Sequence, residues 1–213
     1  MSLADAFPPL GLRVEAGPLV LRSITDEVLE ELAEVARGGV HPADEMPFYT
    51  PWTDAPPDEL PIRVAQFHWG LRANWSRERW ALELAVEYEG RIVGSQGFST
   101  HDYLVTRTGE TGSWLGLRYH GRGIGTRMRQ AICALVFDHL DAAQVTSGAF
   151  LDNPASLAVS RKVGYRPNGT RLLARRGESA VNQGLVLTPE TFVRGEPITV
   201  TGVPAFRRFI GLD

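Results

Sequence analysis

Apolar and polar positions along the chain alternate with two different periods, and the places where the period changes mark out the elements. Gly17 to Thr25, GPLVLRSIT, has the every-second-residue alternation of a strand. Asp26 to Ala36, DEVLEELAEVA, follows with the wider spacing of an amphipathic helix whose first turn is acidic. The next segment, GGVHPADEMPFYTPWTDAPPDELP, is too rich in proline and glycine to continue that helix, and with Met46, Phe48, Tyr49 and Trp52 it reads as an ordered loop. Helical spacing resumes in IRVAQFHWGLRANWS. Trp80 to Asp102 holds two alternating runs broken at Glu89-Gly90, which predicts an antiparallel hairpin. GETGSWLGL predicts another strand. Gly123 to His139 predicts a helix with one buried face made of Ile124, Met128, Ala131, Ile132, Leu135 and Val136. QVTSGAFL is then a strand, NPASLAVSRKVGY a short helix stopped by Gly164, and GLVLTPETFV a last strand and turn. The expectation is one α/β (α+β) domain over residues 1–194 and a C-terminal tail over 195–213 that could pack or swap onto a neighbour, giving a homo-oligomer.

Composition narrows the class. A chain of 213 residues with 43% hydrophobic and 22% charged side chains is an ordinary soluble globular protein, neither disordered nor membrane-embedded. The net charge of −3 lacks the basic excess of a nucleic-acid binder. Cys133, the only cysteine, cannot form an intrachain disulfide or a cysteine metal cluster, and its place in a helical apolar pattern reads as buried filler in a reducing compartment. There is no apolar run of about 20 residues to span a bilayer, and the N-terminal segment lacks the basic start and apolar stretch of a signal peptide. A cytoplasmic protein that engages neither membrane nor nucleic acid is expected.

The chemistry concentrates in RYHGRGIGTRM. A strand, a turn with glycine at 121, 123 and 125, and then a helix start bring free backbone N–H groups and the positive end of a helix dipole to one spot. Arg118 and Arg122 add positive charge. An anion site follows, with a tight turn that binds nothing as the alternative. The loop is no Walker A sequence, because Ile124, Gly125 and Thr126 follow Gly123 without the required lysine. It is no dinucleotide fingerprint either, because Thr126 stands in the third glycine position.

WLGLRYHGRGIGTRMRQAI followed by NPASLAVSRKVGYRPNG resembles the acyl-CoA site of the GCN5-related N-acetyltransferase (GNAT) superfamily, in particular its RimJ/RimL-like, ribosomal-protein-alanine branch. The resemblance spans about Gly17 to Val193 and is sharpest from Glu110 to Gly169. It implies a mixed, mostly antiparallel central sheet with a splayed strand pair, flanked by helices. It implies an N-acyltransferase that moves acetyl, or succinyl, directly from acyl-CoA to a primary amine, with no metal. The loop pattern Gln/Arg-x-x-Gly-x-Gly/Ala aligns Gly123 and Gly125 with its glycines and puts His120 where Gln or Arg is usual. By the resemblance His120, Gly121, Arg122, Gly123, Ile124, Gly125 and Thr126 hold the pyrophosphate of coenzyme A. Trp114, Leu115 and Gly116 offer backbone groups to the pantetheine, Asn153 and Ser156 face it, and Arg161 with Lys162 meets the nucleotide phosphates.

For catalysis, the tyrosine that many members carry as general acid is Ser160 here, so the resemblance moves that role to Ser156. Glu110 is the candidate base, with His101, Asp102 and His41 as alternatives. Met46, Phe48, Tyr49, Trp52 and His101 are the expected acceptor-binding residues. The acceptor itself is left as a small amine, an aminoglycoside, a protein N-terminus or a lysine side chain. The missing tyrosine also leaves open a non-catalytic acyl-CoA-binding or regulatory module of the same fold.

Overall fold

A computed structural model describes residues 1–213. Its strands are β1 (Arg13–Ala16), β2 (Leu19–Ser23), β3 (Arg79–Tyr88), β4 (Arg91–His101), β5 (Thr108–Leu115), β6 (Gln144–Phe150), β7 (Arg166–Arg175), β8 (Glu178–Leu187) and β9 (Thr199–Thr201). Its α-helices are α1 (Leu3–Ala6), α2 (Asp26–Arg37), α3 (Leu60–Ala73), α4 (Tyr103–Thr106), α5 (Ile124–His139), α6 (Pro154–Val163) and α7 (Val203–Ile210). The strands make one sheet in the order β7-β8-β6-β5-β4-β3-β2-β1-β9, antiparallel throughout except for β5 against β6. No helix is long and apolar enough to cross a membrane.

The expected β3–β4 hairpin closes at Glu89 and Gly90, both with positive φ, as a two-residue turn that follows strand twist requires. Strand alternation sorts side chains onto two faces. Helix α5 lies on one, where Ile132 and Leu135 are fully buried. Helices α2 and α3 pack together on the other.

Three parts of the fold lie outside the sequence-based expectation. Strand β7 is exposed along nearly its whole length, so no buried face imposes an alternation that could be read. Strand β1 and helix α1 are too short to carry a period. The tail packs on its own chain: β9 pairs with β1, and Phe206 of α7, fully buried, meets Trp80 edge-on at 5.6 Å.

The parallel β5–β6 ladder stops at Glu110 opposite Thr146, although β5 runs on to Leu115 and β6 to Phe150. Beyond that point side chains take over. Thr111 Oγ1 donates to Thr146 O at 3.3 Å, and Ser147 Oγ donates to Thr111 O at 3.1 Å. Arg129 of α5, only 4% exposed, bridges the parting strands by donating to Ser113 Oγ at 3.0 Å and Ser147 Oγ at 3.1 Å. A buried guanidinium between two strands keeps them from zipping together, and its bonds offset part of its desolvation.

Candidate active site

The splayed strand leads straight into the glycine loop. After Leu115 a single 3-10 turn, Leu117–Tyr119, turns the chain toward α5. Gly121 and Gly123 have φ of 74° and 77°, values that only glycine adopts without strain, and Gly123 is the residue before the first helical turn. The amides of Gly121, Arg122, Gly123, Ile124, Gly125 and Thr126 make no hydrogen bond within the chain. Six consecutive donors at a helix N-terminus form a row that a multiply charged oxyanion satisfies. Gly125 has another use, since its Cα side faces Val159 of α6 and allows the two helices to approach.

His120 is used by the turn itself. Its Nε2 donates to Leu115 O at 3.0 Å and its amide to Leu117 O at 3.1 Å, so it ties off the end of β5. Arg118 stacks on Tyr119 and Arg122 lies near Glu89 at 3.7 Å, both exposed. Arg161 and Lys162 are exposed on α6.

Helix α6 follows β6 after three residues. Pro154 occupies its first turn, where a missing N–H costs nothing, and Asn153 Oδ1 caps it by accepting the Ser156 amide at 3.0 Å. The Ser156 hydroxyl is thereby spared from capping and has no partner in the chain. Cys133 is fully buried against Tyr165, and burial pushes its thiol up to about 11, the behaviour of filler rather than of a nucleophile.

On the opposite face, Glu110, Gly112 and Trp114 project together from β5. Trp114 continues an aromatic chain through Trp52 at 5.5 Å and Phe48 at 5.3 Å to His41 at 5.8 Å, so the proline-rich loop is docked on β5. Met46 is buried, and Tyr49 is exposed in the same loop. Glu110 is exposed and makes no hydrogen bond or ion pair. His101 lies at the far end of β4, exposed and paired with Asp102 at 2.6 Å.

The β7–β8 hairpin, of which only the end of β8 was expected from the sequence, closes this side. Arg175 donates to Asp152 Oδ1 and to Met46 O, each at 2.9 Å, and Arg176 donates to Asp54 Oδ2 at 2.8 Å. Those guanidiniums hold the Asp152 and Asp54 carboxyls below their ordinary range. A groove of about 370 Å³ runs between loop and hairpin, bordered by Asp44, Glu45, Met46, Asn153 and Glu178. The groove therefore reaches Asn153 at the start of α6. Only the pairing of distant arginines with Asp54 and Asp152 would have pointed to it, and sequence carries no trace of that.

The family model described as the Acetyltransferase (GNAT) domain matches residues 18–166. A putative ribosomal N-acetyltransferase, YdaF of Bacillus subtilis, is 27% identical over 88 residues, 41% of this chain and 48% of its own length. The chain thus spans about half the length of that curated relative. Mycobacterium smegmatis RimJ in complex with CoA-disulfide superposes with TM-score 0.65 at 20% identity, covering 93% of this chain and 92% of its own. RimL, a ribosomal L7/L12 alpha-N-protein acetyltransferase in complex with coenzyme A, gives TM-score 0.65 at 16% identity over 81% of this chain and 95% of its own. At those identities the likeness is one of fold.

Proposed function

The chain belongs to the GNAT acetyltransferase family, and from that premise we propose that it transfers an acetyl group from acetyl-CoA directly to a primary amine. The observation that carries this reading is the row of six unpartnered amides from Gly121 to Thr126 at the point where β5 leaves β6. Pyrophosphate is the part of coenzyme A that such a row suits, with Arg118, Arg122 and Arg161 adding positive potential around it. From there the pantetheine follows the free edge of β5 past Trp114, and the thioester comes to rest between Gly112 and Ser156.

The amine enters from the face that carries the Phe48–Trp52–Trp114 chain. Its lone pair attacks the thioester carbon, the C–N bond forms, and the C–S bond breaks. The free Ser156 hydroxyl donates to the departing sulfur, which accounts for Asn153 capping through its side chain while the serine oxygen stays unengaged. Glu110, exposed on the acceptor face, draws the cationic amine. The surplus of carboxylates along the groove, Asp44, Glu45 and Glu178, favours a positively charged acceptor. A protein N-terminus is such an acceptor, in keeping with the RimJ and RimL resemblance.

Calorimetric titration with acetyl-CoA, succinyl-CoA and free CoA tests the first half of this reading. A thiol-release assay tests the second, run over a peptide with a free N-terminal alanine, an N-blocked lysine peptide, a diamine and an aminoglycoside. Acetyl-CoA binding with thiol release on the alanine peptide is expected. Absence of CoA binding overturns the reading, and binding without release on any amine leaves a non-catalytic acyl-CoA-binding module instead.

A further inference from the structure

An amine is protonated at neutral pH, and only the unprotonated nitrogen attacks a thioester, so the reaction needs a group that accepts that proton close to the acyl carbon. Glu83 on β3 stands directly opposite Gly97 of β4, which stands opposite Gly112 of β5. This cross-strand row lies on the acceptor face, next to Glu110 and Trp114. A Cβ at position 97 would overlap the Glu83 carboxylate, so the glutamate lies over β4, one strand from β5. The space above Gly112 is open for 4 Å. Gly97 thus lies under the carboxylate itself, and the exposed Gly112 leaves the β5 end of the row uncovered.

The surroundings of Glu83 suit a proton acceptor. Ser95 Oγ donates to its Oε2 at 2.9 Å, and no arginine or lysine pairs with it. Ser23 from β2 and His68 and Arg72 from α3 border the same cavity, of about 40 Å³, and from β5 the nearest charge on this face is the exposed Glu110. Arg72 is committed to Asp26 at 3.0 Å and to Ile24 O. Burial pushes Glu83 up to about 7 against the Ser95 bond, and pushes His68 down to about 4, so His68 is neutral when Glu83 titrates.

We propose that Glu83 takes the proton from the acceptor ammonium, directly or through one water, while Glu110 passes protons between this face and solvent. The role rests on the acyl-transfer reading above. In it, R–NH₃⁺ gives one proton to the Glu83 carboxylate and the freed lone pair attacks the thioester carbon. The C–S bond then breaks, and the sulfur leaves with a second proton from that nitrogen, relayed by the Ser156 hydroxyl. Glu83 finally releases its proton to solvent, so each turnover yields amide, thiol and one H⁺.

The test compares wild type, Glu83→Gln, Glu83→Asp and Glu110→Gln with acetyl-CoA and whichever amine of the panel the wild type acetylates, from about pH 5.5 to 9. Glu83→Gln keeps the size and the Ser95 bond, so acetyl-CoA affinity is expected to hold within about twofold while kcat falls about 100-fold and the acidic limb of the pH profile disappears. Glu83→Asp should fall between the two and keep a limb. The carboxyl ¹³C resonance absent from Glu83→Gln should titrate near neutrality in the wild type. A Glu83→Gln kcat within twofold of wild type, a limb lost only in Glu110→Gln, or a carboxyl titrating in the ordinary range each overturns the role with the acyl-transfer reading intact. Acetyl-CoA binding without turnover on any amine overturns both.

Discussion

Asn153 and Ser156 are joined by one bond, from the serine amide to Asn153 Oδ1 at 3.0 Å, and that bond leaves the serine hydroxyl free. The two residues should therefore separate in their effects. Asn153→Ala removes a cap and is expected to cost about 1 kcal/mol of stability in urea unfolding. Ser156→Ala leaves the cap in place. It should change stability by less than about 0.5 kcal/mol yet slow thiol release at least tenfold. If Ser156→Ala turns over like the wild type, the sulfur receives its proton elsewhere.

Gly123 combines a φ of 77° with a place inside the amide row. Gly123→Val puts a β-branched side chain where the backbone is left-handed and where an oxyanion would lie. Calorimetry should show CoA binding weakened at least 100-fold, with a destabilisation of roughly 1–3 kcal/mol in the unliganded protein.

His68 lies on α3 in the cavity that Glu83 borders, and burial, assisted by Arg72, holds it neutral down to about 4 instead of its ordinary 6.5. The unfolded chain binds the proton first, so this contribution to stability is present above about pH 6.5 and is lost as the pH falls toward 4. Its full size is of order 2–3 kcal/mol. Urea midpoints measured between those pH values should drop less steeply for His68→Phe than for the wild type.

Glu83 gives the opposite slope. Its folded-state value of about 7 exceeds the ordinary 4.5, so the protonated form favours the native state below about 4.5, and that advantage is lost as the pH rises through 7. Glu83→Gln should match the wild type near pH 4 and exceed its stability by about 1–3 kcal/mol at pH 8. A functional carboxyl kept at a cost in stability shows this sign.

Arg175 ties the β7–β8 hairpin to Asp152 and to Met46 O, and lies over the Phe150 ring at 4.2 Å. Arg175→Met keeps much of the apolar stem but drops the bidentate pair. Amide exchange in β7 and in residues 44–48 should speed up. KM for the amine should rise while acetyl-CoA affinity is unchanged, because the hairpin borders the groove and not the glycine loop.

Elements with a buried face are legible in the residue pattern alone. Helix α5 repeats its apolar residues at helical spacing and begins within one residue of its expected start, and the β3–β4 hairpin announces its turn at Glu89-Gly90. Strand β7 is not legible, since nearly all its residues face solvent and nothing constrains their polarity. The same physics divides the site. Gly121 and Gly123 sit in a local turn whose backbone dictates its residues, and Asn153 caps a helix that starts next to it. Glu83 reads like any charged position in an alternating strand.

Local chemistry along the chain is enough to place a glycine turn before a helix start at Gly121–Thr126, because turn dihedrals, caps and helix starts depend on near neighbours, whereas coenzyme A entered only through the resemblance of two motifs to a family. Which groups meet across the sheet depends on register, and register is set by packing. Pairing put Glu83 over Gly97 beside an open Gly112 and slid Arg129 between β5 and β6. These contacts join residues as much as 18 positions apart along the chain or on neighbouring strands, and burial then moves their proton affinities, a property no isolated residue has.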